Sequence, residues 1–97
     1  MQSGLSSSEL QNELSTLDGW RVDGKRLFRE FRFADFASAF GFMSSVALAA
    51  ESMNHHPEWS NVYTQVKIWL SSHEIDNISQ MDIDLARRIN ALWSVSR

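Results

Sequence analysis

From Phe36 to about Met53 the chain carries apolar side chains around so much of a helical circumference that one sheet face cannot cover them all. Asp35 is a good N-cap for this helix. Phe36, Phe40, Met43, Ala47, Ala50 and Asn54 form one stripe, and Phe42, Val46, Ala49 and Met53 form another beside it. The second stripe, with the small flat surface at Ala47 to Ala50, is expected to pack helix against helix between subunits. Beyond the helix stands Pro57, the only proline, which disfavours the α conformation for His56 and pushes it extended.

The rest of the chain arranges itself around that helix. Ser6-Ser7-Ser8-Glu9 has the capping-box pattern, and Leu10, Leu14 and Leu17 recur at helical spacing, so a first helix is predicted from about Ser7 to Thr16, with residues 1–5 frayed. Trp20 to Val22 and Lys25 to Phe33 read as a hairpin turning at Asp23-Gly24, with Arg29, Phe31 and Phe33 on one face of the second strand. A second hairpin runs from Trp59 to Tyr63 and from Val66 to Ser71, with Val66, Ile68 and Leu70 alternating against Lys67 and Trp69. Ser72 to Ile78 is polar and predicts a loop. Ser79-Gln80-Met81-Asp82 repeats the capping box, and Ile83, Ala86, Ile89 and Trp93 carry a last helix to about Val95. The order αββαββα implies an α+β fold, a four-stranded antiparallel sheet with three helices on one face, in a single domain over residues 1–97.

Composition narrows the function. A chain of 97 residues buries only about 60–65% of its unfolded surface, and its 43% hydrophobic content is generous for that size, so self-association is expected. The nine Lys and Arg residues are scattered and the net charge is −3, which leaves no basic face for direct nucleic-acid binding. With no cysteine there is neither disulfide nor thiolate chemistry. No uninterrupted apolar run approaches the roughly 18 residues of a membrane span, and Met1 to Ser8 lacks a signal-peptide core, so a cytoplasmic protein without membrane contact is expected.

Two of the three histidines sit together in Glu51-Ser52-Met53-Asn54-His55-His56-Pro57, and the third, His73, follows the second hairpin. Histidine is the side chain whose ordinary titration range lies near neutrality, so such a cluster points to proton transfer. A metal is not expected, because no His-x-His, i,i+4 His pair or cysteine knuckle is present. Nucleophilic catalysis is disfavoured by the lack of cysteine and of a G-x-S-x-G context. Acid–base chemistry is left, with Glu51, His55, His56, His73 and Asp82 converging at one edge of the sheet. A carboxylate bonded to the far nitrogen of an imidazole fixes its tautomer, the role expected of Asp82 toward His73. Taken singly, each residue has a plainer explanation: Asp82 completes a capping box, Glu51 is a solvated helix carboxylate, and His56 merely precedes proline. The combination favours a site.

Glu51-x3-His55-His56-Pro57-x5-Tyr63-x9-His73-x8-Asp82 resembles the signature of the pterin-4a-carbinolamine dehydratases, also known as dimerisation cofactors of a homeodomain transcription factor. The likeness spans nearly the whole chain, through Gly19-Trp20, Phe31-x-Phe33-x-Asp35-Phe36, Ala39-Phe40-Gly41-Phe42-Met43, His55-His56-Pro57-Glu58-Trp59, Asn61-Val62-Tyr63 and Leu70-Ser71-x-His73-Glu74. The resemblance implies dehydration of 4a-hydroxytetrahydrobiopterin to quinonoid dihydrobiopterin, with no metal or organic cofactor. His55 and His73 would act as acid and base, with His56 holding the pterin. Glu51 and Asp82 would orient the imidazoles, and Trp20 would wall the pocket. Asn54, Pro57, Ser71, Ser72 and Glu74 would join the histidines in binding substrate. It further implies a homodimer or homotetramer, a transcription-factor partner and, with it, a nuclear as well as a cytoplasmic location. Asn77 stands where animal members carry glycine, a mild departure since asparagine tolerates left-handed backbone. Two other classes compete. A non-catalytic module binding a transcription factor through Phe42, Val46 and Ala49 would be indifferent to histidine loss; a metal-dependent hydrolase would lose activity to a chelator.

Overall fold

A computed structural model describes residues 3–96 of the chain. Its elements run α1 (Ser7–Leu14), β1 (Arg21–Asp23), β2 (Arg26–Arg32), α2 (Phe36–Met53), β3 (Glu58–Val62), β4 (Gln65–Leu70) and α3 (Gln80–Ser96), the expected order. The strands make one antiparallel sheet in the order β1-β2-β4-β3.

Alternation decides which face of the sheet is covered. Leu27 and Phe31 of β2 and Val66, Ile68 and Leu70 of β4 are buried, and they pack with α2 and α3 into one core. Phe31 lies at its centre, with ring centroids 4.9 Å from Phe42 of α2 and 5.3 Å from Trp93 of α3. Full burial of a ring of this kind stabilises the fold by about 1.5–3 kcal/mol. Phe28 and Trp69 pair on the opposite face of the sheet, 5.1 Å apart.

Local chemistry sets the ends of α2. The Asp35 side chain accepts the Ser38 N–H at 2.7 Å, and that bond holds its carboxyl below the usual carboxylate range. At the other end Asn54 takes a left-handed conformation, φ 51°, and closes the helix directly. The α1 box also forms, with the Ser6 N–H donating to Glu9 at 2.8 Å and the Glu9 N–H to Ser6 Oγ at 3.2 Å. Arg87 of α3 ties this helix down through Glu13 at 2.6 Å.

Several expectations need correction. Phe42, Val46 and Ala49, expected to pack between subunits, are the buried stripe of the monomer. Phe42 sits against both Phe31 and Phe33, so the sheet has claimed that side. Of the neighbouring stripe, Phe36 and Phe40 face outward, exposed by 48% and 57%, while Ala50 is buried; Leu48, which belongs to neither stripe, is exposed by 74%. By length and composition alone α2 could cross a membrane, although no unbroken apolar run in it approaches its 18 residues. The first hairpin turn falls one residue later than predicted and the second one residue earlier, with Gly24 and Tyr63, each at positive φ, in the first loop position. Within the segment expected to fray, Leu5 N–H bonds the Ile78 carbonyl at 3.1 Å and Gly4 bridges Ser79; Met1 and Gln2 lie outside the described residues. In the loop before α3 the left-handed residue is Asp76, φ 48°, rather than Asn77.

Candidate active site

The left-handed turn at Asn54 breaks the helix just before the two histidines, and Pro57 then feeds the chain into β3. The strand β4 ends at Leu70 on the neighbouring position of the sheet, and the loop that follows carries Ser71, His73 and Glu74 to the same edge. These two junctions enclose an open pocket of about 310 Å³ lined by Asn54, His55, His56, Pro57, Ser71, His73 and Glu74. That volume is near the lower end for small-molecule sites, which run to roughly 300–1,000 Å³. All three imidazoles of the chain therefore meet at one cavity.

Their surroundings differ. His55 is 8% exposed, and its Nε2 lies 2.5 Å from Oδ1 of Asp82, which is wholly buried. His56 is exposed and its Nε2 meets Glu51 Oε1 at 2.8 Å. His73 is exposed at the pocket rim. Asp82 thus partners His55, and the expected pairing with His73 is not what forms. The capping role of Asp82 holds in its reach-back half, with Oδ2 accepting the Ser79 N–H at 2.8 Å, while Ser79 Oγ accepts the N–H of Met81 at 3.2 Å rather than that of Asp82. One carboxylate serves both the helix start and the imidazole.

Of the other residues singled out in the sequence, Ser72 lies behind the pocket, 1% exposed, with its hydroxyl donating to Asp82 Oδ2 at 2.9 Å. Glu51 borders an adjoining apolar groove that shares His56 and Pro57 with the pocket. Trp20 does not wall the cavity. It belongs to the core, edge-on to Phe31 with centroids 6.2 Å apart, and its Nε1–H donates to Asn90 of α3 at 2.8 Å. Ser79, read only as a cap, has its hydroxyl 2.6 Å from that of Ser72. Its place in the capping box was the one signal that pointed toward this network.

Chemically, the pocket offers imidazoles able to give and take protons near neutral pH, beside the amide of Asn54, the hydroxyl of Ser71 and the carboxylate of Glu74. A small polar heterocycle with several donors and acceptors along its edge matches such a lining. Among the described residues, no group of three or more His, Asp and Glu is placed to hold a metal ion.

Comparison with known proteins gives one consistent result. The family model for pterin 4 alpha carbinolamine dehydratase matches residues 3–92. A protein of Prochlorococcus marinus (strain MIT 9303), named as a candidate pterin-4-alpha-carbinolamine dehydratase, is 49% identical over 91% of this chain and 92% of its own. A Solibacter usitatus (strain Ellin6076) protein of the same name is 48% identical over 95% and 97%. Among solved structures, a transcriptional coactivator/pterin dehydratase from Brucella melitensis superposes with a TM-score of 0.89 at 44% identity, over 93% of this chain and 98% of that one. A pterin dehydratase-like protein identified as a RuBisCO assembly factor in the alpha-carboxysome gives 0.68 at 28% identity, over 77% and 89%. By sequence over almost its full length, and by fold, this chain belongs to the pterin 4 alpha carbinolamine dehydratase family.

Proposed function

We propose that the chain dehydrates 4a-hydroxytetrahydrobiopterin to quinonoid dihydrobiopterin and water by histidine acid–base catalysis, in the recycling of tetrahydrobiopterin. The observation that carries this reading is the meeting of His55, His56 and His73 on one pocket, with His55 held from behind by Asp82. The elimination needs a proton delivered to the 4a-oxygen as the C4a–O bond breaks, and the N5 proton removed as the C4a–N5 double bond forms. Water leaves, and the two transfers cancel, so proton carriers alone suffice. His55 and His73 are assigned the two transfers. His56, braced by Glu51, holds the pterin with Asn54, Pro57, Ser71 and Glu74. Asp82 orients His55.

The test follows dehydration of enzymatically generated 4a-hydroxytetrahydropterin by the wild type, His55→Ala and His73→Ala. Each variant is expected to lose roughly 100- to 10,000-fold in the catalysed step. Equal rates for all three proteins would defeat the assignment.

Self-association belongs to the same reading. Phe36, Phe40 and Leu48 form an uncovered apolar ridge along α2, which fits a homodimer or homotetramer. Sedimentation equilibrium at micromolar concentration should give a mass above the 11.1 kDa of one chain; a monomer would count against it. A second reading, a non-catalytic partner of a transcription factor, is favoured by that same ridge and by the Brucella neighbour's description as a transcriptional coactivator. The enzyme is placed in the cytoplasm, and this second role would place it in the nucleus too.

A further inference from the structure

Behind His55 runs a chain of buried hydroxyls whose direction follows from counting donors. Asp82 is a carboxylate and only accepts. Its Oδ2 takes the Ser79 N–H at 2.8 Å and the Ser72 hydroxyl at 2.9 Å. Ser72 has a single hydroxyl proton and spends it there, so in the 2.6 Å contact between the two serines Ser79 must be the donor. Ser79 Oγ in turn accepts the Met81 N–H at 3.2 Å. The polarity therefore runs one way, from Met81 through Ser79 and Ser72 to Asp82.

Two donors on Oδ2 leave Oδ1 for His55. Since Oδ1 can only accept, Nε2 of His55 carries the hydrogen in their 2.5 Å contact. Nδ1 of the same ring has no hydrogen-bond partner among the described residues, and the ring lines the pocket. A carboxylate torsion is soft when nothing fixes it, with a broad, roughly two-fold profile. The Ser79 N–H and the Ser72 hydroxyl, both on Oδ2, remove that freedom together, and Ser72, 1% exposed, supplies the one of the two bonds that comes from a side chain.

We propose that Ser72 is a positioning residue that fixes the rotation of the Asp82 carboxylate, holds His55 as its Nε2–H tautomer and so turns Nδ1 toward the bound molecule. The inference rests on the reading of His55 as a proton carrier. It adds to it the reactive nitrogen and the group that selects it.

The test uses the full chain with ¹⁵N-labelled histidine and the variants Ser72→Ala and Ser72→Thr. In the wild type the His55 ring is expected to show one tautomer, Nε2–H. Ser72→Ala should give a mixture, with kcat down roughly 10-fold, the scale of losing a group that orients a functional imidazole, and KM nearly unchanged. Ser72→Thr keeps the hydroxyl and should restore both signals. An unchanged tautomer and kcat in folded Ser72→Ala would overturn the proposal, as would a folded Ser72→Thr no better than alanine. Should Ser72→Ala not fold, Ser72→Cys, of similar size but a weak donor, carries the same expectations. If the wild type itself leaves the hydroxypterin untouched, the proposed reaction fails, and the His55 ring signals still decide whether Ser72 positions the ring.

Discussion

His55 and His56 are neighbours in the chain, and each binds a carboxylate through Nε2, yet the two pairs live in opposite surroundings. In the His55–Asp82 pair the side chains are 9% and 0% exposed; in the His56–Glu51 pair they are 58% and 78% exposed. The single left-handed residue Asn54 separates the helix from this dipeptide, and from there one ring turns inward and the next outward. The same chemical pairing therefore has two different values. Water and salt screen the outer pair, so it steers a ring at little energetic gain. The inner pair has no solvent to fall back on, and removing either partner strands the other.

The strongest way to break this contrast is to cut the inner pair. Asp82→Ala should destabilise the protein by about 3–5 kcal/mol, read from urea unfolding, because it leaves His55, Ser72 and the Ser79 N–H without their common acceptor. A cost below about 1 kcal/mol would mean that the buried network is not taut. Cutting the outer pair with Glu51→Gln should shift stability by no more than about 0.5 kcal/mol, with less difference still from wild type in molar salt. If the glutamine variant proved as damaging as the alanine one, the division into structural and steering carboxylates would have to be abandoned.

Much of this was legible in the sequence, and the failures share a cause. The bounds of α2 followed from Asp35 and the apolar run, and the order of elements from two hairpins and two capping boxes. The gathering of the histidines at one cavity followed from where helix, turn and strand must end. What stayed hidden was side-chain direction. Spacing put Asp82 within reach of an imidazole without saying which, because its aim is set by Ser72 and Ser79, and hydroxyls that cross a loop leave no periodic trace. Trp20 after Gly19 reads equally well as a pocket wall or a core ring. Gly19 itself, at φ 82°, has Arg29 Nε only 2.5 Å from where a Cβ would sit, and the tight turn swings the indole inward beside Asn90. The two stripes of α2 are alike in apolarity, and only the three-dimensional fit of Phe42 between Phe31 and Phe33 decides which one the sheet takes.

Asp82 makes the opening turn of α3 and the orientation of His55 parts of one mechanical unit. Unwinding that turn moves the acceptor that His55 uses, so loosening of the helix start and loss of the ring's orientation are coupled through one side chain. Under the proposed reaction, readiness for proton transfer is thereby a local readout of folding at a helix end.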